Sequence, residues 1–281
     1  MMRRGVVTGW SPLLVVGALT VATIGALGLL APVIAPYDPH AVSGGSLAPP
    51  SLRHILGTND IGQDVLSQLI YGARRSLGIA VAAASVGTIT GVLVGAWAGL
   101  RGGPVDAVAM RTVDVALAMP GLPLLILVAA LAGPSTVVVI LAIAFFGWPP
   151  IARIVRSHVL SVKGHGYVAC ARGFGGGPAY LIRRHLAPAT GPVIASQFVE
   201  LTGVAIVVDA GLAFLGLVNA STTSWGSILN RASAYPGIYD SPAFAWWLLP
   251  PGLAITLLVL GLAFLGVGLE PFSNPRWDRF R

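Results

Sequence analysis

Long apolar runs separated by short polar intervals set the pattern of this chain. The runs cover about residues 11–35, 77–100, 137–154, 192–217 and 246–269. A further one follows the charged positions Asp106, Arg111 and Asp114. Each is long enough, at about 18 residues or more, for a helix crossing the hydrocarbon core of a bilayer. The pattern predicts an all-α integral membrane protein with six transmembrane helices and both termini on the same side. Pro120 and Pro123 fall inside the third run and are expected to kink it. Between runs one and two, Val65, Leu66, Leu69 and Ile70 recur at helical spacing. They predict a short amphipathic helix at the membrane surface, with Asp64 in its first turn.

Composition agrees with this reading. Of 281 residues, 55% are hydrophobic and only 10% charged, and the mean hydropathy is +0.82. Soluble domains carry about 25% charged residues. A net charge of +7 would suit a nucleic-acid partner, but the basic residues are scattered over the intervals between apolar runs. Only Arg53, Arg74, Arg75 and Arg231 fall in intervals of one parity; the other Lys and Arg residues fall in those of the opposite parity or at the two termini. The positive-inside rule then places both termini and the interval 164–190 in the cytoplasm, and 37–72 and 218–245 outside. An amino-terminal Arg pair before an apolar core also fits a signal peptide, but this core is too long and lacks a polar cleavage region. One cysteine, Cys170, excludes an internal disulfide. The five histidines, His40, His54, His158, His165 and His185, lie in intervals or at run ends and read as solvated.

The longest basic interval between two runs, 166–188, is the candidate functional segment. Tyr167 to Arg172 can form a short helix, and the small Ala169 and Ala171 allow close approach of a partner. Gly175 to Gly177 followed by Pro178 ends it. This segment resembles the cytoplasmic loop of binding-protein-dependent ABC importer permeases, written E-A-A, three residues, Gly, then I-x-L-P. Ala169, Cys170, Ala171, Gly175 and Pro188 fall on that frame, with Ile182, six residues before Pro188, assigned to its Ile. Ala169 replaces the usual Glu, Cys170 the usual Ala and Ala187 the usual Leu. Other stretches extend the resemblance. The segment from Leu56 to Gln68 is similar to the L-G-T-D-x-x-G-R-D-x-x-S-R element of the C-type permease in peptide and nickel importers, with Asn59, Gln63 and Gln68 each removing a charge. The run Asp209 to Gly216 resembles E-A-x-L-S-F-L-G, and Ser224-Trp225-Gly226 matches S-W-G.

The resemblance implies a type I ABC importer permease fold in the cytoplasmic membrane. It divides the chain into an N-terminal span with its outer segment (1–75) and a five-helix core (76–281) holding a coupling loop at 158–190. It implies that Tyr167, Ala169, Cys170, Ala171, Arg172, Gly175, Ile182 and Pro188 couple to an ATPase. The implied partners are a second permease chain, two ATPase domains and an extracytoplasmic solute-binding protein. ATP and Mg are expected in the ATPase chains, since this sequence has no G-x-x-x-x-G-K-[ST] loop. No nucleic-acid partner, metal-ligand spacing or catalytic motif is expected.

Two acids, Glu200 and Asp209, fall inside the fifth run, where an ionised group is costly and is expected to face the bundle interior or water. Asp209 is the candidate for the translocation path or its gate, with Phe214 and Leu215 as an apolar constriction, against the alternative of an acid held by an interhelical hydrogen bond. A self-contained proton-coupled secondary transporter using both acids is the rival function, and it predicts inverted internal repeats. A membrane-embedded assembly subunit is a second rival and predicts no ATPase partner.

Overall fold

A computed structural model describes residues 11–219 and 222–273. Arg3, Arg4 and the basic tail from Asn274, assigned above to the inner side, lie outside the described residues. The order of helices is α1 (Pro12–Leu29), α2 (Ala31–Ile34), α3 (Val65–Arg101), α4 (Gly103–Ala118), α5 (Gly121–Ala132), α6 (Thr136–Lys163), α7 (Gly166–Gly173), α8 (Pro178–Leu181), α9 (Ala187–Phe214), α10 (Trp225–Ala234) and α11 (Leu249–Ser273). Single π-helical turns, Ile182–Leu186 and Phe244–Leu248, lead into α9 and α11. Five helical segments are long and apolar enough to cross a membrane: Pro12–Leu29, Val65–Arg101, Thr136–Lys163, Ile182–Phe214 and Phe244–Leu269. The pair α4 and α5 adds a sixth if it counts as one bent span.

That bend is 78°. Met119 sits extended at φ −75°, ψ 138°, the conformation favoured before a proline because the ring of Pro120 crowds the helical one. The kink therefore falls at Pro120, while Pro123 lies within the first turn of α5, where a proline costs no helical hydrogen bond.

Residues 65–70 do not form a separate surface helix. They are the first turns of α3, which runs unbroken for 37 residues through Arg74 and Arg75. Nothing between Val65 and Leu77 stops a helix, and Arg75 is accommodated by donating to Thr136 Oγ1 at the start of α6. The division expected at residue 75 thus falls inside a continuous helix. Asp64 is its N-cap, not a first-turn residue: Oδ2 accepts from the backbone N–H of Ser67 at 2.8 Å and from the Ser67 hydroxyl at 2.7 Å.

The centre of the bundle is the pairing of α3 with α6. Gly87, Gly91, Gly95 and Gly99 fall every four residues along α3, and each sits against α6. A Cβ on Gly95 would lie 2.3 Å from the Ala152 carbonyl oxygen, and one on Gly91 would lie 2.8 Å from that of Trp148. The backbones are close enough to exclude any side chain, which is how helices associate where lipid supplies no hydrophobic drive. On the flank, α1 packs on α11, with Gly17 beside the backbone of Gly261 and Gly268 beside Leu14.

Ion pairs tie α4 to α6. Arg156 forms a two-pronged pair with Asp106, and Arg153 pairs with Asp114. Arg111 and Asp114 have the spacing of an intrahelical pair, but Asp114 goes to Arg153 instead, because α6 brings Arg153 and Arg156, three residues apart, alongside the acids of α4.

Between α2 and α3 the chain forms a compact irregular unit that closes one end of the bundle. Trp246 Nε1 donates to the Thr58 carbonyl at 3.4 Å and Arg231 pairs with Asp60, fastening it to the entry of α11 and to α10, while Trp225 Nε1 donates to the Leu69 carbonyl in the first turns of α3 at 2.9 Å. Inside it His54 is buried, stacked on Tyr37, with Nδ1 3.0 Å from Asp64 Oδ1. His54 is therefore not solvated as its place in a polar interval suggested; the carboxylate that caps α3 recruits it.

Candidate coupling site

At the opposite end of the bundle, Lys163 Nζ donates to the Leu100 carbonyl at 2.8 Å, and His158 Nε2 lies 3.0 Å from the Ala189 carbonyl. These contacts gather the ends of α3 and α6 and the start of α9. From this platform the chain leaves through Gly164 and His165 into α7. Val168 is buried against a small apolar cluster that includes Val159, Val162, Leu181 and Leu186, with Ala171 packed beside it. The spacing of three puts both on the inner face of α7. Tyr167, Cys170 and Phe174 occupy the outer face and stay exposed, Phe174 at 92%.

Glycine closes α7. Gly175 adopts φ +86°, where a side chain would be strained, and the N–H of Gly176 reaches back to the Ala171 carbonyl at 2.9 Å. The helix is slightly longer than the expected 167–172 and stops where the glycines were read to stop it. Pro178 does more than end it, since it opens α8 as its first residue. His185 then lies between Tyr167 and Tyr180, with ring centroids 5.6 Å from each, so the π-helical turn is stacked onto α7.

The residues named from sequence divide accordingly. Tyr167, Ala169, Cys170 and Gly175 are exposed on or just beyond α7, whereas Ala171 faces its own bundle. Ile182, 40% exposed, belongs to the π-helical turn, and Pro188 opens α9 and is exposed. Arg172 lies in the last turn of α7. Phe174 was missed; an aromatic immediately before a run of glycines, in an otherwise basic interval, is the sequence signal for it.

Residues 91–279 match the family described as binding-protein-dependent transport system inner membrane component. The chain is 37% identical over 254 residues to the dipeptide transport system permease protein of Bacillus subtilis (strain 168), covering 88% of this chain and 78% of that protein. It is 34% identical over 270 residues to the di/tripeptide transport system permease protein of Pseudomonas aeruginosa (strain UCBPP-PA14), covering 92% and 87%. It is 36% identical over 245 residues to the nickel transport system permease protein of Escherichia coli (strain K12), covering 85% and 86%. The chain belongs to this family of ABC importer permeases.

In this permease the two acids of α9 sit on opposite faces. Nine residues at 3.6 per turn is a rotation of about 180° beyond whole turns. Asp209 is 1% exposed, with Oδ2 free of hydrogen bonds among the described residues. Beside it, α10 closes onto α9 at Ala210 and Ala213, where Gly226 leaves no room for a Cβ. Phe214 and Leu215, half exposed at the end of α9, stand apart from Asp209 as surface residues; Asn230 Nδ2 donates to the Phe214 carbonyl at 2.6 Å. Glu200 is exposed, and among the described residues only the amide of Gln197 bonds it, at 3.0 Å to Oε2. A carboxylate facing hydrocarbon near the middle of a span costs roughly 2.5–3.5 kcal/mol on insertion scales.

Proposed function

We propose that this permease forms half of the translocation path of a peptide importer and receives the stroke of a cytoplasmic ATPase through α7. The observation that carries the coupling reading is the split of α7 into two faces. Val168 and Ala171 seat it on the bundle, while Cys170 and Phe174 project from it, and Tyr167, half exposed beside them, meets the rings of His165 and His185. The helix is tied into α6 through Gly164 and His165, and into α9 through α8 and the stacked π-helical turn. A push on the outer face would pass into the two helices that pack on α3. ATP and Mg belong to the ATPase chains, whose closure would shift the permease between inward-open and outward-open states. A second permease chain completes the path, and an extracytoplasmic binding protein delivers solute at the end closed by the 35–64 unit. The names of the relatives support peptides as the solute class, with nickel as the alternative.

The test is copurification. Tagged chain, coexpressed with its partners, is expected to carry an ATPase and to support ATP-dependent uptake of dialanine. Phe174→Glu changes a residue outside the core, so the bundle should stay folded while the ATPase is lost and uptake falls at least tenfold. Full retention of ATPase and uptake in this variant would overturn the coupling assignment.

A further inference from the structure

From residue 196 to 214 the exposed positions of α9 are Glu200, Val204, Val207, Gly211 and Phe214. Their spacings of four, three, four and three place them on one face of the helix. Nothing among the described residues covers that face. Glu200 is its one charged residue, 13 positions from Ala187 and 14 from Phe214, halfway along the helix. At about 1.5 Å per residue it is roughly 20 Å from either end, too far to reach an interfacial water layer.

Glu200 borders a groove of about 560 Å³ between α9 and α11. Its polar lining is Ser196, Gln197 and Glu200; the rest is apolar, with Val199 and Val204 beside them on α9 and Val259, Leu262 and Val267 on α11. Ser196 is satisfied by donating to the Pro192 carbonyl at 2.8 Å. Gln197 holds Glu200 Oε2, leaving Oε1 with no hydrogen-bond donor among the described residues. No Lys, Arg or His pairs with this carboxylate among the described residues. A groove of this size, with few polar groups gathered against an apolar wall, has the form of a small-ligand site.

We infer that Glu200 is the translocation-path contact for a positively charged group of the solute, the protonated amino terminus where that solute is a peptide. Gln197 orients the carboxylate, and the α11 wall takes an apolar side chain. The charge is complementary to an ammonium, and a carboxylate held by one amide retains the acceptor capacity to bind it. Asp209, buried on the opposite face, does not share this role. The inference rests on the import reading above and assigns the part of the path that meets the solute.

The test uses the whole transporter with its native Cys170 retained, and labelling at position 200 is read separately from that at Cys170 by mass spectrometry of the digested chain. Glu200→Cys should be labelled by a water-soluble cationic methanethiosulfonate in the resting or the vanadate-trapped state, and saturating dialanine or Ni²⁺ should slow labelling. Glu200→Gln should lower uptake at subsaturating dialanine about tenfold, the value of one charge-assisted contact, while ATP hydrolysis stimulated by the binding protein persists. No labelling in either state would mean that the second permease or lipid covers the position, and would overturn the inference. Labelling without protection, together with normal uptake by Glu200→Gln, would overturn it equally. If the native transporter itself shows no ATP-dependent uptake, the import reading fails; protection by either probe would then still support a cation subsite, and its lack would refute one.

Discussion

The side-chain amide of Asn59 donates to Gln63 Oε1 at 2.9 Å, and the same oxygen accepts from Gln68 Nε2 at 2.8 Å. These three residues are the ones at which the Leu56–Gln68 stretch departs from an acid and two arginines in the resembling family element. They meet in one buried network: Gln63 Nε2 donates to the His40 carbonyl and Gln68 Nε2 to that of Pro39. The three positions thus form one neutral amide cluster, in which Gln63 is the partner of both Asn59 and Gln68.

A single return to charge is therefore expected to be harmful. Asn59→Asp would set a carboxylate against Gln63 Oε1 with no cation nearby, and should destabilise the chain by about 2–4 kcal/mol. The triple replacement Asn59→Asp, Gln63→Arg, Gln68→Arg should recover most of that loss. Thermal unfolding of the detergent-extracted transporter measures both. Equal destabilisation by the single and triple variants would show that the cluster is not a unit.

The helix pairing of α3 and α6 predicts a steep difference between glycines. Gly95→Ala places a methyl group against the Ala152 carbonyl and should cost about 1–3 kcal/mol or block assembly. Gly25→Ala meets nothing within 4 Å and should be neutral or slightly stabilising. Expression level and melting temperature of the two variants separate them; similar behaviour would mean that the α3–α6 contact is looser than described.

Much of this was legible in the sequence, for physical reasons that name themselves. Hydrophobic length alone locates the long helices, and a proline in a run locates the bend at Met119. Glycine fixes where α7 stops. Partner choice was not legible: Arg111 and Asp114 have ideal spacing for a pair, yet Asp114 goes to Arg153, because only packing decides which helix lies alongside. The same limit hid the difference between Glu200 and Asp209. Both are acids in one apolar run, and only the neighbours of α9 show which face is covered. His54 was misplaced because burial in a small irregular unit leaves no periodic trace.

The distribution of basic residues sets an expected orientation, and the lone cysteine provides its test. Cys170 is exposed on α7, so an impermeant maleimide should leave it unlabelled in intact cells and label it after permeabilisation. Ser46→Cys in a Cys170→Ser background should show the reverse, labelling in intact cells. Labelling of Cys170 in intact cells would invert the topology.

The most direct test of the coupling role uses the same native thiol. A benzophenone maleimide attached to Cys170 in the assembled transporter, then illuminated, reports what lies on the outer face of α7 within about 10 Å. That distance is close to the full diameter of a helix with its side chains. The structure predicts a crosslink between this chain and an ATPase subunit, with its yield changed when ATP is bound and hydrolysis is trapped by vanadate. Crosslinks only to lipid, to the second permease or within the chain itself would contradict the account.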